Sequence, residues 1–416
     1  MRLNAKRTVF VGLAFFTICS FWQIYDSIIP LLLKQTFALN EAVAGGIMAL
    51  DNVLALFMLP IFGALSDRTH TRIGKRMPYI VFGTLAAALL MIFLPIVASM
   101  KSLPLFMVAL GLVLVVMGTY RSPAVALMPD VTPKPLRSQA NAIINLMGAV
   151  GGILSLGFIA ILSPKGGSFQ YMPLFSVTAL VMVLGVAVLS FVIREPRLAL
   201  PDEKPAETAS VNASLTSAER RSLLLILASV FLWFFGYNAV TTAFSKYATL
   251  YWKLEGGAFA YTLIIAQIAA ILSYWPVSLF ATRIGRRKTI LLGITLLTFA
   301  FGAAYFFRVF TLWIFVFFAM AGVGWAAINV NSYPMVTELS RGANVGKYTG
   351  YYYTASMAAQ IITPILSGAL LQYVGYWTLF PYGACFVAAS FATMACVRHG
   401  DSNPIKPACK LQSLAD

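Results

Sequence analysis

Charged residues are scarce in this sequence. Only 11% of the 416 residues are charged, 14 of them are acidic, and histidine occurs twice. A water-soluble domain usually carries about 25% charged residues, so the composition argues against a soluble enzyme or binding module. The chain is instead apolar, because 60% of its residues are hydrophobic and its mean hydropathy is +0.82. These values predict an integral membrane protein.

Cysteines and nucleotide-binding motifs are also few. The four cysteines, Cys19, Cys385, Cys396 and Cys409, have neither a pairing pattern nor metal-ligand spacing, so we expect free thiols and no metal site. The stretch GANVGKY at 342–348 has the wrong glycine spacing for a phosphate-binding loop. ATP-driven pumping is therefore not expected. We expect a protein that is not an enzyme and has no cofactor.

Twelve apolar runs are each long enough to cross about 30 Å of hydrocarbon, which takes roughly 20 helical residues. Membrane-spanning strands would instead appear as alternating segments of about ten residues, which this chain lacks. The sequence therefore predicts an all-α integral membrane protein with twelve transmembrane helices. The predicted spans lie near 8–33, 41–65, 78–99, 103–128, 138–163, 171–193, 221–250, 258–281, 289–307, 311–334, 346–372 and 376–397.

Lysine and arginine are distributed unevenly between the loops. If the N-terminus lies inside, 23 of the 30 fall in cytoplasmic segments and five in external ones. This asymmetry follows the positive-inside rule and predicts a multi-pass protein of the cell membrane with both termini in the cytoplasm. It also explains the net charge of +16 without a nucleic-acid partner. The partners we expect are the lipid bilayer and a small-molecule substrate, and we expect a monomer.

Two short motifs each occur twice. RIGKR at 72–76 returns as RIGRR at 283–287, and PDVT at 129–132 returns as PMVT at 334–337. The similar offsets predict two pseudo-symmetric halves of six helices, as in secondary transporters. We place the first bundle at 1–194, a cytoplasmic linker at 195–219, the second bundle at 220–398 and a cytoplasmic tail at 399–416. Thr216 and Glu219 predict a capping box at the start of the seventh helix.

The stretch GALSDRTHTRIGKR at 63–76 resembles the loop motif between helices 2 and 3 of the major facilitator superfamily. Its lengthened form resembles that of the sucrose-type proton symporters and of the glycoside, pentoside and hexuronide cation symporters. The resemblance implies the major facilitator fold and a cytoplasmic latch that holds the halves together when the cavity opens outward. The alternative is that the basic residues only set the topology. The predicted latch residues are Asp67, Arg68, Arg72, Lys75, Arg76, Asp130 and Arg137.

The second copy of this motif departs from the first. It has Ala281 and Thr282 near the positions where Ser66 and Asp67 would fall. Because the second copy lacks an acidic residue there, we expect any latch to be stronger in the first half.

Ionisable residues inside predicted spans are few, and each costs several kcal/mol unless it faces a cavity or a partner. Asp51 lies near the middle of the second helix, Asp26 in the outer third of the first, and Arg121 in the inner third of the fourth. We predict that Asp51 and Asp26, at different depths, couple transport to protons, because sodium requires several converging oxygens. Alternatively, Asp51 only hydrogen-bonds between helices. Lys246, near the outer end of the seventh helix, is expected to extend to the interface.

Polar and aromatic side chains share helix faces in several spans. Amides that donate and accept hydrogen bonds, beside aromatic rings that cover C–H surfaces, suit a neutral polyhydroxylated ligand. The same residue types also hold membrane helices together, which is the alternative reading. The predicted substrate-binding residues are Trp22, Gln23, Asp26, Arg121, Asn141, Asn145, Tyr237, Asn238, Gln267, Trp325, Asn329 and Gln360.

The sequence therefore favours a secondary active transporter that moves a sugar or glycoside with protons by alternating access. A drug or organic-ion exporter of the same fold is the alternative, as is a lipid carrier or a non-transporting receptor. Drug antiporters of the superfamily carry a Gly-Pro motif in helix 5, whereas GAVGGILSLGF at 148–158 has no proline. By this resemblance the symporter is favoured.

Overall fold

The computed structural model describes residues 4–133, 137–163, 171–198, 216–339 and 345–401. Over these ranges it is all-helical, with twelve helices long and apolar enough to span a membrane. The predicted fold class is confirmed. The helices are α1 Ala5–Gln35, α2 Glu41–Asp67, α3 Met77–Ser99, α4 Leu103–Val131, α5 Arg137–Leu162, α6 Met172–Val192, α7 Ser217–Lys246, α8 Ala260–Ile284, α9 Arg286–Ala304, α10 Trp313–Glu338, α11 Val345–Tyr373 and α12 Leu379–Ala395.

Several helices extend past the predicted spans. Helix α4 continues to Val131 through Pro123 and Pro129. Helix α7 begins at Ser217, before the predicted start at 221, and is followed by a π-helical segment, Tyr247–Tyr251. Prolines are tolerated in membrane helices because neighbouring helices and side chains satisfy the freed backbone groups. Hydropathy therefore locates the apolar part of a helix but underestimates its polar ends.

The capping box at the start of α7 is confirmed. The backbone N–H of Glu219 donates to the Thr216 hydroxyl at 3.3 Å, and the Thr216 N–H donates back to the Glu219 carboxylate at 2.9 Å. Two donors that an unpaired helix end would leave without partners are thereby satisfied. Most of the predicted linker, 199–215, and the tail beyond 401 lie outside the described residues, so the domain boundaries stay a prediction.

Each set of six helices packs in the same way. In the first set α1 packs on α5 and α6, and α3 on α4 and α6; in the second set α7 packs on α11 and α12, and α9 on α10 and α12. The two sets meet mainly through α2 against α11 and α5 against α8, with a smaller contact of α1 with α7. Helices α2 and α5 of the first set correspond to α8 and α11 of the second. The α2–α11 contact therefore corresponds to the α5–α8 contact. The interface is therefore pseudo-symmetric, as the duplicated motifs require.

The two membrane faces can be told apart by their loops. We call the side on which α1 begins and residues 68–76 lie the basic face, and the side of loops 36–40 and 252–259 the opposite face. The two sets of helices approach closely near the opposite face, where a β-carbon added at Gly45 would collide with the carbonyl oxygen of Pro364, and one at Gly257 with that of Ile159. Glycine is required there because the backbones touch.

Polar side chains are exposed on the basic-face side of the spans. Asn141 and Asn145 of α5 and Asn329 of α10 are all exposed. An amide facing hydrocarbon without partners would cost several kcal/mol, so these side chains face water between the two sets. The protein is closed at the opposite face and open toward the basic face.

Candidate functional site

Two carboxylates lie at similar depth in the first half. Asp26 is nine residues before the end of α1 and Asp51 is ten residues after the start of α2, about 14 and 15 Å from the opposite-face ends at 1.5 Å per residue. The expectation that they lie at different depths is wrong, because α1 runs on to Gln35 and so brings Asp26 deeper. Both side chains are half-buried.

Asp26 and Asp51 share an electrostatic environment. They interact with each other, and the charge of Arg121 acts on both. Asp51 also accepts a hydrogen bond of 2.8 Å from the Asn52 amide, whereas within the described part of the chain Asp26 has no hydrogen-bond or ion-pair partner. Two acids and one base therefore form a coupled group in the membrane interior.

Aromatic rings surround this group. The Arg121 guanidinium carbon lies 5.2 Å from the ring centroid of Trp22, within the range of a cation–π interaction. Tyr25 packs edge-on against Trp22 at 5.2 Å. The Trp22 indole N–H and the Tyr25 hydroxyl are buried and have no hydrogen-bond partner among the described residues. Buried donors without partners are expected where a ligand or water completes a site.

Tyr25 was missed by the sequence reasoning. It contacts Trp22, and the charges of Asp26 and Asp51 act on its hydroxyl. Its position directly before Asp26 was the available signal, but an aromatic residue in an apolar helix does not stand out by pattern alone.

A hydrogen bond between two amides crosses from one half to the other. Nε2 of Gln267 donates to Oε1 of Gln23 at 2.7 Å, and Nε2 of Gln23 donates to the Ser27 hydroxyl at 3.2 Å. Oε1 of Gln267 is buried and has no hydrogen-bond partner among the described residues. Gly152 lies against this pair, since a β-carbon there would be 3.1 Å from Oε1 of Gln267. The structure thus brings Gln23 and Gln267, both predicted site residues, into direct contact.

The second half contributes an aromatic pair. The rings of Tyr237 and Trp325 stack at 3.8 Å with an interplanar angle of 5°, and Phe234 packs edge-on against Trp325. The Asn238 amide nitrogen is buried without a partner in the described ranges. A flat aromatic surface next to an unpaired amide can cover one face of a sugar ring and bind its hydroxyls.

The remaining predicted substrate residues are more dispersed. The Gln360 amide bonds the Ser356 carbonyl of its own helix at 3.3 Å, and Asn329 interacts with Tyr274. Asn141 and Asn145 are exposed without a hydrogen bond from their side chains to another described residue. Within the described residues, no hydrogen bond joins these four side chains to either carboxylate. Their roles stay predictions.

Arg76 organises the basic-face loop of the first half. Its guanidinium bonds Asp67 and the Ser66 hydroxyl, and its Nε bonds Asp130 at 2.8 Å; Lys75 also pairs with Asp130, at 3.6 Å. Burial alone would lower the pKa of Arg76, but the hydrogen bonds and charges of Asp130 and Asp67 raise it above its ordinary value. The guanidinium therefore remains charged.

The rest of the predicted latch is not joined to this cluster. Arg68 and Arg72 are exposed and form no ion pair with another described residue, and the side chain of Arg137 lies outside the described residues. All the bonds found for the cluster join α2, α4 and residues around the start of α3, within one half. In this conformation, open at the basic face, the described latch residues do not bridge the halves, so the latch stays a prediction.

Glu195, the first residue of the predicted linker, supports the same loop. Its carboxylate accepts hydrogen bonds of 2.9 to 3.0 Å from the backbone N–H groups of Lys75, Arg76 and Met77. It therefore caps the N-terminus of α3, where a negative charge is favoured. Gly74 has a φ of +122°, and a side chain there would strike Glu195.

The basic-face loop of the second half is held by similar bonds, but the acidic residues come from other positions in the chain. The carboxylate of Asp401 accepts bonds from the backbone N–H groups of Arg286 and Arg287 at 2.7 and 3.3 Å, as Glu195 does at α3. The Arg286 side chain pairs with Glu338 at 2.8 Å. The acids that bind the second motif thus come from the end of α10 and from after α12.

Lys246 does not extend to the interface, so that expectation is wrong. Its side chain is 5% exposed and forms an ion pair with Glu41 of α2. A nearby carboxylate compensates the charge, and the lysine has no need to reach water.

The described residues hold no group of side chains that would bind a metal or form a disulfide. Over the described residues no group of three or more His, Cys, Asp or Glu side chains is placed to hold a metal ion. Cys19, Cys385 and Cys396 are free thiols, as predicted, and Cys409 lies outside the described residues.

A family model described as MFS/sugar transport protein matches residues 11–397. The chain belongs to this family. The resemblance seen in the loop at 63–76 is thereby confirmed, and the chain is a transporter of the major facilitator superfamily (MFS).

One curated protein and two solved structures illustrate what this family member is similar to. An isoprimeverose transporter from Lactiplantibacillus pentosus is 23% identical over 274 residues, which cover 63% of this chain and 56% of that protein. Among solved structures, a bacterial homologue of the iron transporter ferroportin in an inward-facing state has a TM-score of 0.72 at 15% identity, covering 95% of this chain and 99% of that one. The inward-open xylose transporter of E. coli has a TM-score of 0.66 at 15% identity, covering 99% and 98%. These structures share the fold.

Proposed function

We propose that this MFS transporter carries a sugar or glycoside together with protons by alternating access. The observation that supports this most directly is the coupled group of Asp26, Asp51 and Arg121, which lies in the membrane interior beside unpaired donors. An ionisable residue at this depth is costly unless it faces a cavity or a partner. Here the cost is met by the neighbouring charges and by the open basic-face side.

Protons suit this group better than sodium. A sodium ion would need several converging oxygens, as hard cations generally do. It would also sit beside Arg121, whose positive charge repels it strongly in a medium of low dielectric constant. A proton needs only one carboxylate, and burial favours the neutral form of a carboxyl group.

A sugar suits the surrounding side chains. The Gln23–Gln267 amides offer donors and acceptors from both halves, and the Tyr237–Trp325 stack offers an apolar face. This combination matches a ring with hydroxyls at its edge and C–H groups on its faces. The relative from L. pentosus transports isoprimeverose, which is in keeping with a sugar substrate here.

The orientation follows from the charge distribution. We place the basic face in the cytoplasm of the cell membrane, together with both termini, and we expect the protein to work as a monomer. The described structure would then be open to the cytoplasm and closed to the outside. Substrate and proton would bind from outside after the halves rock to open the opposite face, and both would leave on the cytoplasmic side.

Purified protein in proteoliposomes tests this proposal. A panel of pentoses, hexoses and glycosides that includes isoprimeverose is offered under an inward proton gradient. We expect uptake of at least one sugar above its external concentration, abolished by a protonophore and insensitive to sodium. Uptake or efflux of cationic drugs or lipids instead, with no sugar carried, would overturn the proposal in favour of an exporter or lipid carrier.

A further inference from the structure

A buried cluster of charges lies where the two halves meet at the opposite face. Glu41, the first residue of α2, is 2% exposed. Its carboxylate forms an ion pair with Lys246 of α7 and accepts a hydrogen bond from the hydroxyl of Tyr376, just before α12. Both of these partners belong to the second half. One carboxylate of the first half is thus bound by two groups of the other.

The backbone around Glu41 also contacts the second half closely. The backbone N–H of Ala42 donates to Oε1 of Gln372 at 3.1 Å, and a β-carbon added at Gly368 would collide with the carbonyl oxygen of Glu41. Of the four hydrogen bonds that join the halves within the described residues, three involve Glu41 or Ala42. The closure of the opposite face is therefore concentrated at the start of α2.

We propose that Glu41 and Lys246 are the positioning pair that closes the extracellular side of the transporter. The inference rests on the alternating access and orientation proposed above, but on neither the sugar nor the proton. Its physical basis is that removing one partner of a buried ion pair leaves the other charge uncompensated. That penalty falls only on the closed state, because opening the face gives both charges access to water.

A third charge makes the closure reversible. Lys34, at the end of α1, lies 3.2 Å from Oε1 of Glu41 and is 33% exposed. It belongs to the same half as Glu41 and so stays beside it when the halves separate. When the face opens, Glu41 therefore loses Lys246 but keeps Lys34 and gains water, instead of losing every partner. This lowers the cost of breaking the pair, whereas a carboxylate bound only by Lys246 would hold the face shut.

Labelling from outside intact cells tests the pair. Thr242 lies one turn before Lys246 and lines the small space behind the pair with Gly45 and Met48. A Thr242→Cys reporter, in a background with the native cysteines replaced, reacts with an impermeant thiol reagent from outside only when this side opens. We expect Glu41→Gln, which leaves the buried Lys246 without its carboxylate, to raise the labelling rate about tenfold by shifting the population toward the open state. Lys246→Gln leaves Glu41 with Lys34, so we expect a smaller rise, about threefold.

The double variant and a matched control decide the interpretation. Glu41→Gln/Lys246→Gln leaves no fully buried charge unpaired, because Lys34 is partly exposed, so its rate should fall well below the product of the two single effects. Glu255→Gln removes an exposed acid from the same side and should leave the rate unchanged. Tyr376→Phe, which removes one hydrogen bond to Glu41, should raise it about threefold and serves if the charge variants do not reach the membrane.

Single variants that label within twofold of the parent would overturn the pair as the closing element, as would single effects that simply multiply. Val309→Cys, on the exposed loop between α9 and α10, must label in every variant and confirms the orientation separately. Because no sugar or proton gradient is present, failure here is distinct from failure of the sugar-transport assay.

Discussion

Gln267 of α8 donates a hydrogen bond of 2.7 Å to Gln23 of α1, and this bond joins the halves near the two carboxylates. Within the part of the chain that the structure describes, the Gln267 side-chain oxygen is buried and accepts no hydrogen bond. A sugar hydroxyl that donates to this oxygen would bind the second half directly beside the bond that joins it to the first. The amide pair is therefore the place where substrate binding can influence how the halves pack.

Gln267→Leu tests this position. It removes both the bond to Gln23 and the free acceptor, so we expect the half-saturation concentration for the transported sugar to rise about tenfold, as for the loss of one or two hydrogen bonds. Initial-rate uptake in proteoliposomes measures it. Thr295→Val is the control, because the exposed Thr295 hydroxyl bonds the Leu291 carbonyl of its own helix outside the predicted site, and its loss should change the value far less.

Asp51→Asn tests proton coupling. The change keeps the size of the side chain and its hydrogen bonding but removes the titratable group. A proton symporter so altered should lose uphill accumulation driven by a pH gradient, yet retain exchange of internal for external sugar, since exchange moves no net proton. Asp26→Asn is expected to be milder if Asp26 mainly orients the substrate with Gln23. Continued accumulation against the gradient by Asp51→Asn would move the coupling to Asp26 or remove it altogether.

Asp67→Asn tests the predicted latch. The change weakens the bond to Arg76, which remains paired with Asp130. If Asp67 also holds the cytoplasmic side closed in the outward-open state, transport should fall several-fold while sugar binding changes little. Arg72→Gln is the comparison, since Arg72 is exposed and has no ion pair in the described part of the chain. Equal transport by Asp67→Asn and the parent would leave this loop only a role in topology.

Glu195→Gln tests the cap on α3. The buried carboxylate accepts hydrogen bonds from three backbone N–H groups, and a neutral amide offers one oxygen in place of two. We expect a loss of about 1 to 3 kcal/mol in stability, seen as a lower apparent unfolding temperature in detergent. Glu338→Gln, which removes a largely exposed ion pair with Arg286, should lower it much less. Equal effects of the two would contradict the cap.

Ala206→Cys tests the orientation. Residue 206 lies in the predicted cytoplasmic linker, so a cysteine there should resist impermeant thiol reagents in intact cells and react after permeabilisation. The native cysteines are replaced for this experiment. Reaction from outside would reverse the topology and with it the side on which Glu41 and Lys246 act.

Composition and spacing were sufficient for much of this protein. Twelve helices follow from run length and hydropathy, because a span must satisfy its own backbone hydrogen bonds in lipid and so must be a long apolar helix. The family follows from one loop motif, and the capping box of Thr216 and Glu219 from a local spacing. Charge inside a membrane is costly and therefore rare. For that reason the sequence alone singles out Asp26, Asp51 and Arg121.

Contacts between residues that are far apart in the sequence could be identified only from the tertiary structure. The sequence separates Glu41 from Lys246 by 205 positions and Glu195 from Arg76 by 119, and no periodicity connects such pairs. Lys246 shows the consequence: by sequence it is a lysine near a helix end that would extend to water, but packing places it against a carboxylate. Local spacing determines which segments become helices and where charge is unusual, whereas the partner of each charge depends on which helix faces pack together, and only the folded structure decides that.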